Sequence, residues 1–316
     1  MFIEMIQSFI ILSCLFATSV VGKSPSENGY ISKFTTTKGS DANYLLLFGD
    51  SYSRIEFNIH GKQPSKDDPL GNPAFPGDTT SGGVNWVGDL ASIYNKSLTL
   101  VYDFAVGGAT IDQKLIPPPG ISVSFNDQVI EAIPYLTKPR SVPWPGKKSV
   151  VAIWFGQNDV QQAVIVRHDP SSIFGEAMSH YFANCEALYQ AGARNFLFMK
   201  VAPIYKTPLA VVNYTSEERD ALSAGCDEFN NDLDTYAKSF GGKHPDVTYH
   251  IYDPNPAFTD IIDTPKQNGA PDSLCFNPDG TTCLWLNNYH PGVAIHKQVA
   301  KDIAAYNYFP SFFTAK

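Results

Sequence analysis

Four short polar clusters in this chain carry the residue types that acyl transfer requires. Gly49-Asp50-Ser51 ends the apolar run Tyr44-Leu45-Leu46-Leu47-Phe48, and Gly107-Gly108 follows Asp103-Phe104-Ala105-Val106. Gly156-Gln157-Asn158-Asp159 ends Val150-Val151-Ala152-Ile153-Trp154-Phe155, and Asn287-Asn288-Tyr289-His290-Pro291-Gly292 stands near the C-terminal end. A serine hydroxyl is a poor nucleophile until a base takes its proton, and His290 is the best-placed base for Ser51. The oxyanion of a tetrahedral intermediate needs preorganised donors, which a glycine N–H, the Asn158 amide and the N–H of Ser51 can supply. Each cluster also has a plainer reading. Asp50, Ser51 and Asn158 are common helix caps, Gly107-Gly108 suits a tight turn, and a histidine before Pro-Gly is often structural. Their positions at the ends of strands make the chemical reading the stronger one.

The elements that must position these clusters follow from the periodicity. Strands are expected over 44–48, 98–104, 149–155, 195–201 and 247–252, and the unbroken apolar run of the third suits a central parallel strand covered on both faces. Helices are expected over 85–94, 125–133, 172–191, 216–240 and 292–306. Residues 58–83 and 112–124 read as loops, and a Pro/Asp-rich stretch, 253–283, precedes the last helix. Strands alternating with helices imply right-handed crossovers and an α/β, doubly wound parallel sheet of five strands in a single domain, 44–316. In such sheets the strand ends on one edge converge, so clusters far apart in sequence can share a site.

The chain has 316 residues, 43% apolar and 17% charged, enough for a large core and unlike a disordered chain. A formal charge of -8 disfavours nucleic acid and anionic membranes as partners. Residues 1–22 have the apolar core and small flanking residues of a signal peptide, although Glu4 stands in a region that usually carries Lys or Arg. The apolar run is too short for a stable membrane anchor. Residues 23–43 read as a polar lead-in. Cleavage near Gly22 would take the charge to -7 and remove Cys14, leaving Cys185, Cys226, Cys275 and Cys283. An even set in a secreted chain suggests two disulfides, with Cys275–Cys283 and Cys185–Cys226 the preferred of three connectivities. Asn95-Lys96-Ser97 and Asn213-Tyr214-Thr215 are glycosylation sequons. A secreted, extracellular location is therefore expected. No cysteine spacing resembles a zinc site, and neither metal nor cofactor is expected.

The four clusters, taken in order, resemble the four blocks of the SGNH/GDSL hydrolase superfamily across 44–306. That resemblance implies a flavodoxin-like strand order 2-1-3-4-5, with Ser51 as nucleophile, His290 as base, and Gly108 and Asn158 in the oxyanion hole. Phe48-Gly49-Asp50-Ser51-Tyr52, Pro69-Leu70-Gly71-Asn72-Pro73, Pro76-Gly77 and Val84-Asn85-Trp86-Val87 further resemble fungal acetylesterases of carbohydrate esterase family 16. One position departs from the superfamily pattern. An Asp usually stands three residues before the histidine, and here that residue is Asn287. Asn287 can orient His290 through its carbonyl oxygen without adding charge. Alternatively Asp253, Asp260, Asp263 or Asp279 replaces the missing carboxylate, or the chain is an inactive relative. Of the tryptophans, Trp86 and Trp154 fit core positions, and Trp285, just before His290, is the one expected to line the cleft and meet a sugar; Trp144 carries no assignment.

The resemblance implies a secreted serine esterase that removes acetyl groups from plant cell-wall oligosaccharides through an acyl-enzyme. A lipase or lysophospholipase on the same scaffold is one alternative, and a catalytically impaired carbohydrate-binding protein is another.

Overall fold

Alternation along the strands decides the architecture. In β1 (Asn43–Gly49), Tyr44, Leu46 and Phe48 enter one apolar core and Leu45 and Leu47 the other. β3 (Ser149–Trp154) repeats this, with Val151 and Ile153 on the first side and Val150, Ala152 and Trp154 on the second. Strands that bury both faces cannot alternate with polar residues, which explains the continuous apolar runs. With β2 (Thr99–Asp103), β4 (Asn195–Met199) and β5 (Thr248–Tyr252) they form one sheet, parallel throughout, in the order β2-β1-β3-β4-β5. The expected α/β fold and strand order are met.

Residues 42–118, 120, 123–137, 146–166 and 173–316 are described by this computed structural model. The expected signal peptide, nearly all of the lead-in, Cys14 and Trp144 lie outside the described residues. Eight α-helices are described: α1 (Trp86–Ser92), α2 (Phe125–Thr137), α3 (Gln157–Gln161), α4 (Ile173–Gln190), α5 (Pro208–Asn213), α6 (Ser216–Lys243), α7 (Asn255–Asp263) and α8 (Val293–Ala305). α2, α4 and α6 cover one face of the sheet, and α1, α7 and α8 cover the other. The crossover helices change faces between α1 and α2. That switch opens a crevice beyond the C-terminal ends of β1 and β3.

Three helices, α3, α5 and α7, lie in stretches for which no helix was expected, and two of them carry proline in the first turn. α5 begins at Pro208, and α7 carries Pro256 in its first turn. Proline lacks only an N–H that the first turn of a helix leaves unpaired anyway, so here it marks a start rather than a break. The cysteine expectation needs a correction. Cys275–Cys283 is bonded, but Cys185 on α4 and Cys226 on α6 are free thiols buried in the core. They pack as small apolar side chains, and burial pushes the Cys226 thiol up to about 12.

Candidate active site

The nucleophile segment is held from three sides. A Cβ on Gly49 would sit 2.7 Å from the Trp154 carbonyl oxygen, so this glycine answers to the close approach of β3 rather than to the turn itself. Gln128 of α2 brackets it, accepting from the Gly49 N–H at 3.0 Å and donating to the Gly49 carbonyl at 2.8 Å. Beyond it, Asp50 Oδ1 accepts from the Tyr52 N–H at 2.9 Å, an Asx turn that swings the chain out of the strand. The Thr80 hydroxyl donates to the Ser51 carbonyl. Asn85 caps α1 by accepting from the Val87 and Gly88 N–H groups, while its amide donates to the carbonyls of Ser53 and Arg54 at 2.9 and 3.1 Å. Ser51 is thus fixed at the crevice by β1, α1 and α2 together.

His290 arrives from the loop before α8. Its Nε2 stands 2.8 Å from Ser51 Oγ, and its Nδ1 stands 3.1 Å from Asn287 Oδ1. The same oxygen accepts from the backbone N–H groups of Tyr289 at 2.9 Å and His290 at 2.8 Å. The Tyr52 hydroxyl donates to the Tyr289 carbonyl at 2.7 Å, and the Tyr289 hydroxyl donates to the Gln157 carbonyl at 3.1 Å, tying this loop to the nucleophile turn and to α3. Two of the alternative carboxylates are engaged elsewhere, Asp253 with Asn255 and Asp279 with Thr281 and Thr282, and Asp260 is exposed on α7. Asp263 is exposed at the end of α7.

The third wall comes from the ends of β2 and β3. Gly108 has φ +77, the left-handed region that favours glycine, whereas at Gly107 a Cβ would meet nothing closer than 3.6 Å. Asn158, in the first turn of α3, donates one amide hydrogen to the Ala109 carbonyl at 3.0 Å. That bond fixes the amide nitrogen, whose second hydrogen remains to serve an oxyanion. Asp159 Oδ1 accepts from the Ile111 N–H at 2.9 Å and pins the loop carrying Gly108. Ser51, Gly107, Gly108, Asn158, Tyr289 and His290 all line one cleft of about 570 Å³, with Arg54, Thr80, Gln161, Gln162 and Leu209 completing it.

Burial sets the electrostatics. It drives the His290 pKa down to about 4, with the Arg54 cation adding to the effect. It drives the carboxyls of Asp50 and Asp159 up to about 8 and about 7. A neutral imidazole with hydrogen on Nδ1 and a free lone pair on Nε2 can take the Ser51 proton, so the arrangement is competent for nucleophilic acyl transfer. Among the described residues no group of three or more His, Cys, Asp or Glu could hold a metal ion.

Trp285 needs correction. It is fully buried, packs against Phe258 of α7 and donates its indole N–H to the Ser273 carbonyl at 2.8 Å. It supports the floor beneath the histidine loop and does not line the cleft. Asn213 is exposed at the end of α5; Asn95 is half-buried, and its backbone bridges Phe313. The reading of the sequence missed Arg54, Thr80, Gln161, Gln162, Leu209 and Tyr289 in the walls, and Gln128 behind the nucleophile. Tyr289 lay inside a cluster that was singled out. Gln128 gave no local signal, because its partner is 79 residues away.

Residues 45–303 match the family model described as GDSL-like lipase/acylhydrolase. An acetylesterase from Thermothelomyces thermophilus is 42% identical over 265 residues, covering 83% of this chain and 87% of that protein. Among solved structures, an acetyl xylan esterase from Geobacillus stearothermophilus aligns at 17% identity and TM-score 0.46, covering 83% of this chain and 93% of the other. An α/β hydrolase from the metagenome of Lake Arreo aligns at 15% identity and TM-score 0.49, covering 83% and 94%. With the serine, histidine and oxyanion-side residues gathered in one cleft and the family model spanning nearly the whole sheet, this chain belongs to the GDSL-like lipase/acylhydrolase family of ester hydrolases.

Proposed function

We propose that this protein is a secreted serine esterase that removes acetyl groups from carbohydrate hydroxyls. The observation that carries the reading is the 2.8 Å contact between Ser51 Oγ and His290 Nε2 at the floor of the cleft. Ser51 Oγ attacks the ester carbonyl as its proton passes to His290. The amide of Asn158 and the N–H groups of Gly108 and Ser51 receive the oxyanion. The tetrahedral intermediate expels the sugar oxygen, which takes the proton back from His290 and leaves an acetyl-Ser51. Water, deprotonated by His290, then releases acetate and restores the serine.

The walls favour a small acyl group and a polar leaving group. Leu209 is the one aliphatic side chain among the lining residues, and the rest offer hydroxyl, amide, guanidinium and backbone groups. A lipase needs an extended row of aliphatic side chains for its acyl chain, and Leu209 alone does not make one. The name of the Thermothelomyces relative supports acetyl as the acyl group. The leader-like residues 1–22, the sequons at Asn95 and Asn213 and the Cys275–Cys283 bridge support an extracellular location.

The test expresses the chain with its own leader in a secreting eukaryotic host and assays the medium. Acetate release from acetylated xylo-oligosaccharides is expected in the medium, with rates falling from acetyl to long-chain esters and lost in Ser51→Ala. Preference for long chains overturns the acetyl assignment, activity retained in the cells overturns secretion, and activity unaffected by Ser51→Ala overturns the mechanism.

A further inference from the structure

The imidazole of His290 is oriented without a carboxylate. Asn287 Oδ1 collects three N–H groups, two from the backbone of Tyr289 and His290 and one from the ring. The backbone pair decides which end of the amide faces the ring, because a flipped amide would set its NH₂ against two N–H donors. Nδ1 therefore carries the hydrogen, and Nε2 is left as the acceptor for Ser51. An Asp would fix the same tautomer but would also stabilise the imidazolium. Asn287 performs the first task alone.

A cation shares the cleft with that ring. Arg54 lines it, and the point a Gly107 Cβ would occupy lies 3.6 Å from Arg54 Nη1 and 4.0 Å from Ser51 Cβ, so the guanidinium and the nucleophile flank the same glycine. Glu56 holds it there. At φ +60, uncommon outside glycine, the Glu56 backbone turns its carboxylate back onto Nη1, while Asp78 lies 3.7 Å from Nη2. The side chains of Glu56 and Asp78 are 45% and 69% exposed, against 23% for Arg54, so water weakens their reach more than that of the cation.

The other groups around His290 add no negative charge in acid. The rings of Tyr52 and Tyr289 lie 5.8 and 5.4 Å away, and burial raises both phenols well above their ordinary value. Asp50, next to Ser51, is pushed up by burial to about 8, and Asp159 to about 7. His296 of α8 is buried and held neutral down to about 3. In mildly acid solution Arg54 is the charged side chain that lines the cleft with the ring, and its partners Glu56 and Asp78 are not among the lining residues.

We propose that Asn287 and Arg54 are tuning residues for the base. The neutral amide orients the imidazole without stabilising its charge, and the guanidinium opposes protonation. The esterase consequently keeps a competent base in acid media where an Asp-oriented imidazole would already be protonated. This rests on His290 being the base, as read above.

The test records kcat/KM against pH on a soluble acetyl ester for the wild type, Asn287→Asp, Arg54→Gln and Arg54→Lys, together with an imidazole NMR titration assigned through His290→Ala. For the wild type, the acid limb and the His290 resonance are expected to titrate together at about 4. Asn287→Asp should raise both by roughly 1–3 in pH, as a new neighbouring charge does. Arg54→Gln should raise them less, and Arg54→Lys, which keeps the charge, should return them toward the wild type. A wild-type His290 that titrates at or above about 6.5, the ordinary imidazole value, overturns the proposal even if no variant folds. So does a limb that Asn287→Asp leaves in place. Full activity in His290→Ala would instead remove the base assignment itself, an outcome distinct from an unmoved limb.

Discussion

At the scale of single residues, Asn158 has the most direct chemical consequence. Its amide gives one hydrogen to the Ala109 carbonyl and keeps the other for the cleft, so its position is set before any substrate arrives. Replacing it with Ala should lower kcat by roughly 10²–10³, the loss typical for one oxyanion donor, with KM little changed. Steady-state kinetics alongside an unchanged circular dichroism spectrum checks this, and a tenfold or smaller loss would take Asn158 out of the oxyanion site. Gly108 was legible because its neighbours matched a known block, and its φ of +77 supplies the physical reason for glycine there. Asn287 was legible as a departure, but the direction of its amide was not. Two backbone N–H groups set that direction, and a backbone's path is not written in a residue's type.

At the scale of elements, the strand ends deliver the site and α2 locks it. Gln128 reaches from α2 to both polar groups of Gly49, the buried last residue of β1. The Gly49 carbonyl also accepts from Val106, but Gln128 serves the N–H. Gln128→Ala would strand a buried donor and should cost about 1–3 kcal/mol. Denaturant unfolding should show the midpoint falling with an unchanged slope, and a midpoint equal to the wild type would mean that the contact carries no net stability. The central strands β1 and β3 were easy to locate because burial on both faces leaves a continuous apolar run. α5 and α7 were missed because Pro208 and Pro256 resemble loop punctuation until their place in the first turn is seen. Trp285 illustrates the same limit, since a tryptophan in an irregular stretch suggests a surface. Here that stretch folds inward against α7.

Across the whole molecule, buried titratable groups pull stability in opposite directions with pH. Asp50 and Asp159 hold their protons more tightly folded than unfolded, at about 8 and about 7, and Asp103 shifts the same way. The stability they bring is full below the unfolded value of about 3.9 and is lost as pH climbs through the folded values. His290 and His296 are neutral in the fold down to about 4 and about 3, so their contribution is full above about 6.5 and is lost as pH falls below it. Between about 6.5 and 8 only the carboxyls change. The melting temperature should therefore decline across that interval, and Asp50→Asn, which keeps a neutral group in place, should flatten the decline. Equal slopes for the two proteins would count against a protonated Asp50.

The sequence by itself determined the parallel α/β sheet, the three polar clusters at its strand ends, the histidine cluster before the last helix and the family, because apolar periodicity and short motifs are local properties. Tertiary structure alone decided three things. Cys185 and Cys226 stay unbonded, since both are buried as free thiols on packed helices α4 and α6. Trp285 turns into the core because Phe258 and the Ser273 carbonyl offer it an apolar face and an acceptor. The amide of Asn287, three residues before His290, faces the ring with its oxygen because two backbone donors meet it there. In each case the outcome depends on which partner the folded chain brings within hydrogen-bonding or packing distance, and residue type does not specify that partner.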